Sequence, residues 1–157
     1  MRISFDLDEV LFVSPDGFDT EEKLPFPLDR IFPERLRAGT VDLIHRLQKE
    51  GFEVLVYTSS FRSVTYIRSL FRNYGVKFDD IINGDRHNEE VQKNHREPMP
   101  QKMPPAYRIS LHIDDEQAVI ENGKKYGFRV MKVEEPDPQW AEKIIAEAER
   151  IRNLEEK

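Results

Sequence analysis

Apolar runs alternate with amphipathic stretches along this chain, and their order predicts the fold. Arg2 to Leu7 reads as a buried strand, Glu53 to Tyr57 as a second, and Ile81-Ile82 as a short third. Arg108 to Ile113 reads as a fourth strand and Phe128 to Val133 as a fifth. Helical spacing fills the gaps. Val41, Ile44 and Leu47 share one face of a helix that Thr40 would cap and Gly51 would close. Ile67, Leu70, Phe71 and Tyr74 form the next stripe, with Gly75 as its stop. A further helix is expected from about Glu116 to Tyr126. The last carries Trp140, Ile144, Ile145, Ala148 and Ile151, with Asp137 as cap and Pro138 at its first position. Strands that alternate with helices predict an α/β fold, a three-layer sandwich around a mainly parallel, five-stranded sheet.

Two stretches break the alternation. Val10 to Val13 is apolar and runs into Ser14-Pro15-Asp16-Gly17, whose proline and glycine suit a type I turn. A flap and short insertion are expected over 13–39, where Pro25, Pro27 and Pro33 oppose regular structure. Residues 83–106 read as a long polar, proline-rich loop before the last two strands, and loops of this length are often functional. The length, 157 residues, suits one domain over 1–157 with a core large enough to fold alone.

Composition narrows the chemistry. The chain has no cysteine, which excludes disulfides and thiolate catalysis. A net charge of −6 argues against a general nucleic-acid coat or a membrane-surface binder. There is no apolar signal core and no apolar span, so the expected location is cytoplasmic.

The candidate chemistry lies where the apolar runs end. Asp6 and Asp8 close the first run, Thr58 and Ser59 the second, Asp114 and Asp115 the fourth. In an open parallel sheet, ligands sit beyond the carboxyl ends of the strands. One pocket would therefore collect four carboxylates and two hydroxyls, a set suited to a hard cation and a phosphate. Where the first strand ends, both members of Asp6-Leu7-Asp8 can turn toward the pocket mouth.

In its ordered set of motifs the chain resembles the haloacid dehalogenase-like (HAD) hydrolases. The first motif is Phe5-Asp6-Leu7-Asp8-Glu9-Val10, the second Val54-Leu55-Val56-Tyr57-Thr58, and the fourth Leu111-His112-Ile113-Asp114-Asp115, with a lysine between the last two. The resemblance spans roughly Arg2 to Val133 and implies a Rossmann-like core with strand order 5-4-1-2-3. It implies an Mg²⁺-dependent phosphomonoester hydrolase, in which Asp6 attacks phosphorus to form an aspartyl-phosphate and Asp8 serves as acid, then base. It places Mg²⁺ on Asp6, Asp115, Asp114 and the Asp8 backbone carbonyl. Thr58 would bond a phosphate oxygen; Ser59 and Ser60 would open the next helix and offer its free N–H groups to an anion. Arg62 would reach substrate from the same helix start. Insertions 13–39 and 83–101 look too short for a folded cap, so the resemblance is to a capless or minimally lidded phosphatase. An open pocket would accept a small phosphate ester or a macromolecular phosphate, with nucleic acid the less favoured substrate.

The family commonly has Gly then Thr where this chain has Glu9 and Val10. Glu9 either faces the pocket, repelling phosphate or tuning the metal, or faces solvent. Lys77, Lys93 and Lys102 all fall between Thr58 and Asp114; Lys102, ahead of Pro104-Pro105, is the choice and Lys93 the runner-up. A cation there would stabilise Asp6 and the charge developing on phosphorus. His87 and His95 lack ligand partners and read as loop residues, His112 as a hydrogen-bonded core histidine and His45 as exposed. Trp140 is expected to pack the last helix onto the sheet. Two rivals remain: a non-catalytic metal- or phosphate-binding regulator on the same fold, and a receiver domain. Receivers carry their phospho-acceptor after a middle strand and lysine after the last, where this chain has Glu134-Glu135.

Overall fold

The computed structural model describes residues 1–133 and 135–157, so the Glu134 of the receiver comparison lies outside the described residues. The chain runs β1 (Arg2–Phe5), α1 (Leu28–Ile31), α2 (Thr40–Lys49), β2 (Glu53–Tyr57), α3 (Val64–Asn73), β3 (Asp80–Ile82) and α4 (Gly84–Glu90). It continues through single 3₁₀ turns at Gln92–Asn94 and Pro104–Tyr107 to β4 (Leu111–Asp114), α5 (Gln117–Tyr126), β5 (Val130–Lys132) and α6 (Trp140–Glu155). The sheet order is β3-β2-β1-β4-β5 with every pairing parallel, the expected order read from its other edge. A receiver-type sheet runs 2-1-3-4-5, so the topology removes that rival.

Alternation along the strands divides the interior in two. Ile3, Phe5, Val54, Val56, Leu111 and Ile113 pack with Leu43, Ile44 and Leu47 of α2, the stripe of α3, and Ile144, Ala148 and Ile151 of α6. On the opposite face Leu55, Tyr57 and Ile82 meet Val91, Tyr107 and Ile109 in a smaller cluster. Trp140 is buried and its indole N–H donates to the Ala38 carbonyl at 2.9 Å. No helix among the described residues is long and apolar enough to cross a membrane.

Local chemistry shifts several boundaries. Thr40 lies inside α2 instead of capping it: its hydroxyl donates to the Arg37 carbonyl, and Gly39, at φ 93°, holds the N-cap. Asp137 does cap the turn before α6, accepting from Gln139 N, but the helix begins only at Trp140. Ser59 and Ser60 do not open α3. That helix starts at Val64 behind Ser63, whose hydroxyl accepts from Tyr66 N, because Ser60 N is held by the Thr58 hydroxyl and Ser60 O by Gly84 N. Residues 83–106, expected as a loop, contain α4. Asn83 caps it by accepting from Arg86 N, and Arg86 fixes the helix through Glu90 and through Asp80 on β3. A polar sequence of mixed charge hid this short helix, since only Gly84 and His87 within it are buried.

The stretch after β1 is a tight turn in which the Leu7 carbonyl accepts from Val10, Leu11 and Phe12 N. Residues 11–13 do not fold back across the Ser14 turn. They and residues 19–21 both pair with the segment 35–37, which lies between them. Within this flap, between residues 21 and 35, the chain forms the short helix α1.

Candidate functional site

Sheet register builds the site. Phe5 stands opposite both Val56 and Ile113, so the next residues, Asp6, Tyr57 and Asp114, share one level at the carboxyl end of the sheet. Asp6 N donates to the Ile113 carbonyl and Thr58 N to that of Ile82, which carries the order one step past the strands.

At the centre lies Lys102, 1% exposed although lysine is almost never fully buried without a partner. Its Nζ sits 2.5 Å from Asp114 Oδ2 and 3.0 Å from Asp6 Oδ1. Burial alone would favour the neutral amine, but the two carboxylates raise its pKa and keep it an ammonium. Lys93, by contrast, lies at the surface against Glu89, and Lys77 is exposed.

Asp114 is fully engaged. Oδ1 accepts from the backbone of Asp115 and Glu116; Oδ2 accepts from Lys102 and from His112 Nε2 at 2.7 Å. Burial would raise its pKa, but the His112 hydrogen bond and the Lys102 charge hold it well below the usual carboxylate range. His112 is wholly buried, as expected of a core histidine. Burial pushes its pKa down to about 4, so the neutral ring donates from Nε2 and accepts at Nδ1 from the Ser4 hydroxyl, 2.7 Å away.

The other acids retain free oxygens. Burial raises Asp6 to about 7 even against Lys102, with Asp114 adding to the rise. Asp115 is raised to about 6 by burial and by Asp114, and its Oδ1 is buried with no hydrogen-bond partner. Oxygens of Asp6, Asp114, Asp115 and Glu116 lie within 4.8 Å of one another. Two carboxylates short of positive charge and a buried oxygen without a hydrogen-bond partner fit a site for one more cation. An all-oxygen donor set suits Mg²⁺. Because Asp114 has spent its acceptor positions on the protein, the oxygens open to a cation belong to Asp6, Asp115 and Glu116. Glu116 lies beyond the expected acidic pair, and its signal in the sequence is the run of three acids that follows Ile113.

The pocket's other side is open. The Asp8 side chain is 53% exposed and takes a two-pronged bond from Arg62, 3.0 Å to each oxygen. Arg62 also donates to the Ser60 hydroxyl and lies over the Phe12 ring. The Thr58 side chain is buried and Ser59 and Ser60 half-buried beside it. Glu9 faces solvent, at φ 65°, a backbone conformation that favours glycine; the turn itself thus accounts for the glycine common at this position. Its carbonyl and that of Val10 are gripped by Arg37, buried against Phe18 and Trp140.

No protein-family profile matches the sequence, and no curated protein matches it. Solved structures do. A predicted HAD-like family hydrolase from Porphyromonas gingivalis superposes at TM-score 0.51 and 15% identity, covering 95% of this chain and 97% of its own. A HAD-superfamily hydrolase of subfamily IA from Geobacter sulfurreducens gives TM-score 0.54 at 14% identity, covering 87% and 91%. An uncharacterized protein from Listeria monocytogenes gives 0.53 at 17%, covering 85% and 78%. At such identities the likeness speaks for fold, and the strand order speaks for the same one: this chain has the HAD-like hydrolase fold.

Proposed function

We propose that the protein is an Mg²⁺-dependent phosphomonoester hydrolase working through an aspartyl-phosphate. The observation that carries this reading is the buried Lys102 ammonium held between Asp6 and Asp114, beside the orphaned oxygen of Asp115. An arrangement that keeps one carboxylate anchored and leaves others short of positive charge suits an anionic substrate delivered with a cation.

Asp6 uses the oxygen not bonded to Lys102 to attack phosphorus, and the ester P–O bond breaks. Asp8 must first part from Arg62 and take up a proton from solvent; the leaving oxygen then takes that proton. Asp8 then removes a proton from water as the water oxygen attacks phosphorus, which frees inorganic phosphate and restores the Asp6 carboxylate. Lys102 stabilises the charge on Asp6 and on the phosphoryl oxygens. Thr58, Ser59 and Ser60 donate to those oxygens, and Arg62, once released, is free to pair with them. Asp6, Asp115 and Glu116 would hold Mg²⁺, with the Asp8 carbonyl as the family resemblance implies and Asp114 bracing Lys102. Bound there, Mg²⁺ supplies the positive charge that offsets repulsion between the Asp6 carboxylate and phosphate. Small phosphate esters and macromolecular phosphates are both accepted by the open Asp8 side.

The test is phosphate release from p-nitrophenyl phosphate with Mg²⁺ or EDTA, for wild type and Asp6→Asn. Turnover that requires Mg²⁺ and vanishes in Asp6→Asn is expected. The two-pronged Asp8–Arg62 pair favours the rival reading, a non-catalytic phosphate-binding regulator. Mg²⁺-dependent capture of beryllofluoride without turnover on any phosphate ester would replace the hydrolase by that regulator.

A further inference from the structure

The burial of Lys102 poses a structural question, because it arrives on an irregular segment between proline residues and not on a helix or strand. Its ammonium must be delivered to two carboxylates with no room for error. The backbone immediately after it is tied to one pair of residues. Met103 N, immediately after Lys102, donates to the Tyr57 hydroxyl at 2.9 Å. That hydroxyl lies 2.6 Å from His87 Nδ1.

The proton assignments form one consistent chain. Tyr57 is fully buried, and burial pushes its hydroxyl pKa up, so it stays protonated and donates to His87. Burial lowers the His87 pKa, so the ring is neutral and accepts at Nδ1. Its remaining proton is then on Nε2. The frame is rigid: Tyr57 ends β2, His87 lies on α4, and the Tyr57 ring packs edge-on against Tyr107 at 5.3 Å. Met99 and Met103 pack on the same small cluster.

We infer that Tyr57 and His87 are positioning residues for the phosphoryl-transfer site: His87 orients the Tyr57 hydroxyl, which holds the backbone at Met103 so that Lys102 is kept against Asp6 and Asp114. The inference rests on the proposed hydrolase only for its effect on rate; the clamp itself is a claim about Lys102.

The test therefore reads both. In Tyr57→Phe the ring is kept and the hydroxyl lost. With ¹⁵N-lysine, the buried Lys102 ammonium is expected to give a protected side-chain signal in wild type, and that signal shifts or disappears in folded Tyr57→Phe. Met103 amide exchange speeds up by roughly fivefold, as for loss of one hydrogen bond. An unchanged Lys102 signal in the folded variant overturns the clamp, whether or not the protein turns over a substrate. Where turnover is present, kcat falls by about tenfold or more while KM stays near the wild-type value, because a displaced Lys102 impairs charge stabilisation more than binding. Equal changes in kcat and KM overturn the positioning role. His87 gives a second handle should Tyr57→Phe not fold: His87→Asn keeps an acceptor near Nδ1 and is expected to retain more of the Lys102 signal than His87→Ala. Equal signals in the two would overturn the role of His87. Absence of turnover on every phosphate ester would remove the hydrolase reading and leave the Lys102 signal to decide the clamp.

Discussion

Asp6 and Asp8 are separated by one leucine, yet they stand in opposite environments. Asp6 is 4% exposed, fixed by Lys102 and by the amide of Leu7. Asp8 has a half-exposed side chain and is held by a surface arginine. The tight turn at Leu7 separates them, sending one side chain into the sheet's edge and the other to its rim. Their partners differ in kind. A buried ammonium between two carboxylates has nowhere to go, whereas an exposed ion pair is worth little and opens readily. The contrast suits the proposed roles, Asp6 as nucleophile and Asp8 as proton carrier, because the carrier must exchange protons with the leaving group and water.

Removing each side's key group should sharpen this contrast. The largest effect is expected for Asp6→Asn, which loses the proposed nucleophile; turnover should fall by at least about a thousandfold, read as initial rates of p-nitrophenol release. Lys102→Met should come next and show in two measurements. Turnover drops by roughly 10²- to 10³-fold, as for loss of one preorganised charge-stabilising group. Urea unfolding should show a loss of about 3–5 kcal/mol, because Asp6 and Asp114 are left buried without their counter-ion. A stability loss below about 1 kcal/mol would contradict the buried-triad picture. Mg²⁺ should restore part of that stability if the acidic cluster binds it.

On the open side activity and stability should part. Asp8→Asn is expected to lower kcat by about 10²- to 10⁴-fold with a change in unfolding free energy of at most about 1 kcal/mol. Comparable losses of stability at Asp8 and Lys102 would erase the difference between the two sides. The smallest effect is expected for Glu9→Gly. Relief of the left-handed backbone at φ 65° should raise stability by about 1 kcal/mol, measured by urea unfolding, with turnover near wild type.

Much of this was legible in the sequence. Apolar runs with period-two and helical spacing located all five strands and the helices α2, α3, α5 and α6, because burial of one face imposes that pattern regardless of partner. The strand-end acids were legible because a parallel sheet collects them at one edge. α4 was not, since a short helix held by a cap and ion pairs leaves hardly any apolar stripe. His87 read as a loop residue for the same reason, and Tyr57 as another strand residue. Arg62 was expected to reach substrate; its pairing with Asp8, 54 residues away, was not legible.

By itself, then, the sequence determined the order of the strands and the longer helices, the core faces, and which strand-end residues reach the carboxyl edge; these depend on local spacing and on burial, which neighbours in the chain reveal. Only the tertiary structure decided that Lys102 is the buried cation, that Asp114 is saturated while Asp115 keeps a free oxygen, and that Asp6 and Asp8 part company. Those outcomes depend on hydrogen bonds and charges between groups far apart in the chain, whose strength is set by the solvent each has lost, and that loss exists only once the chain has folded.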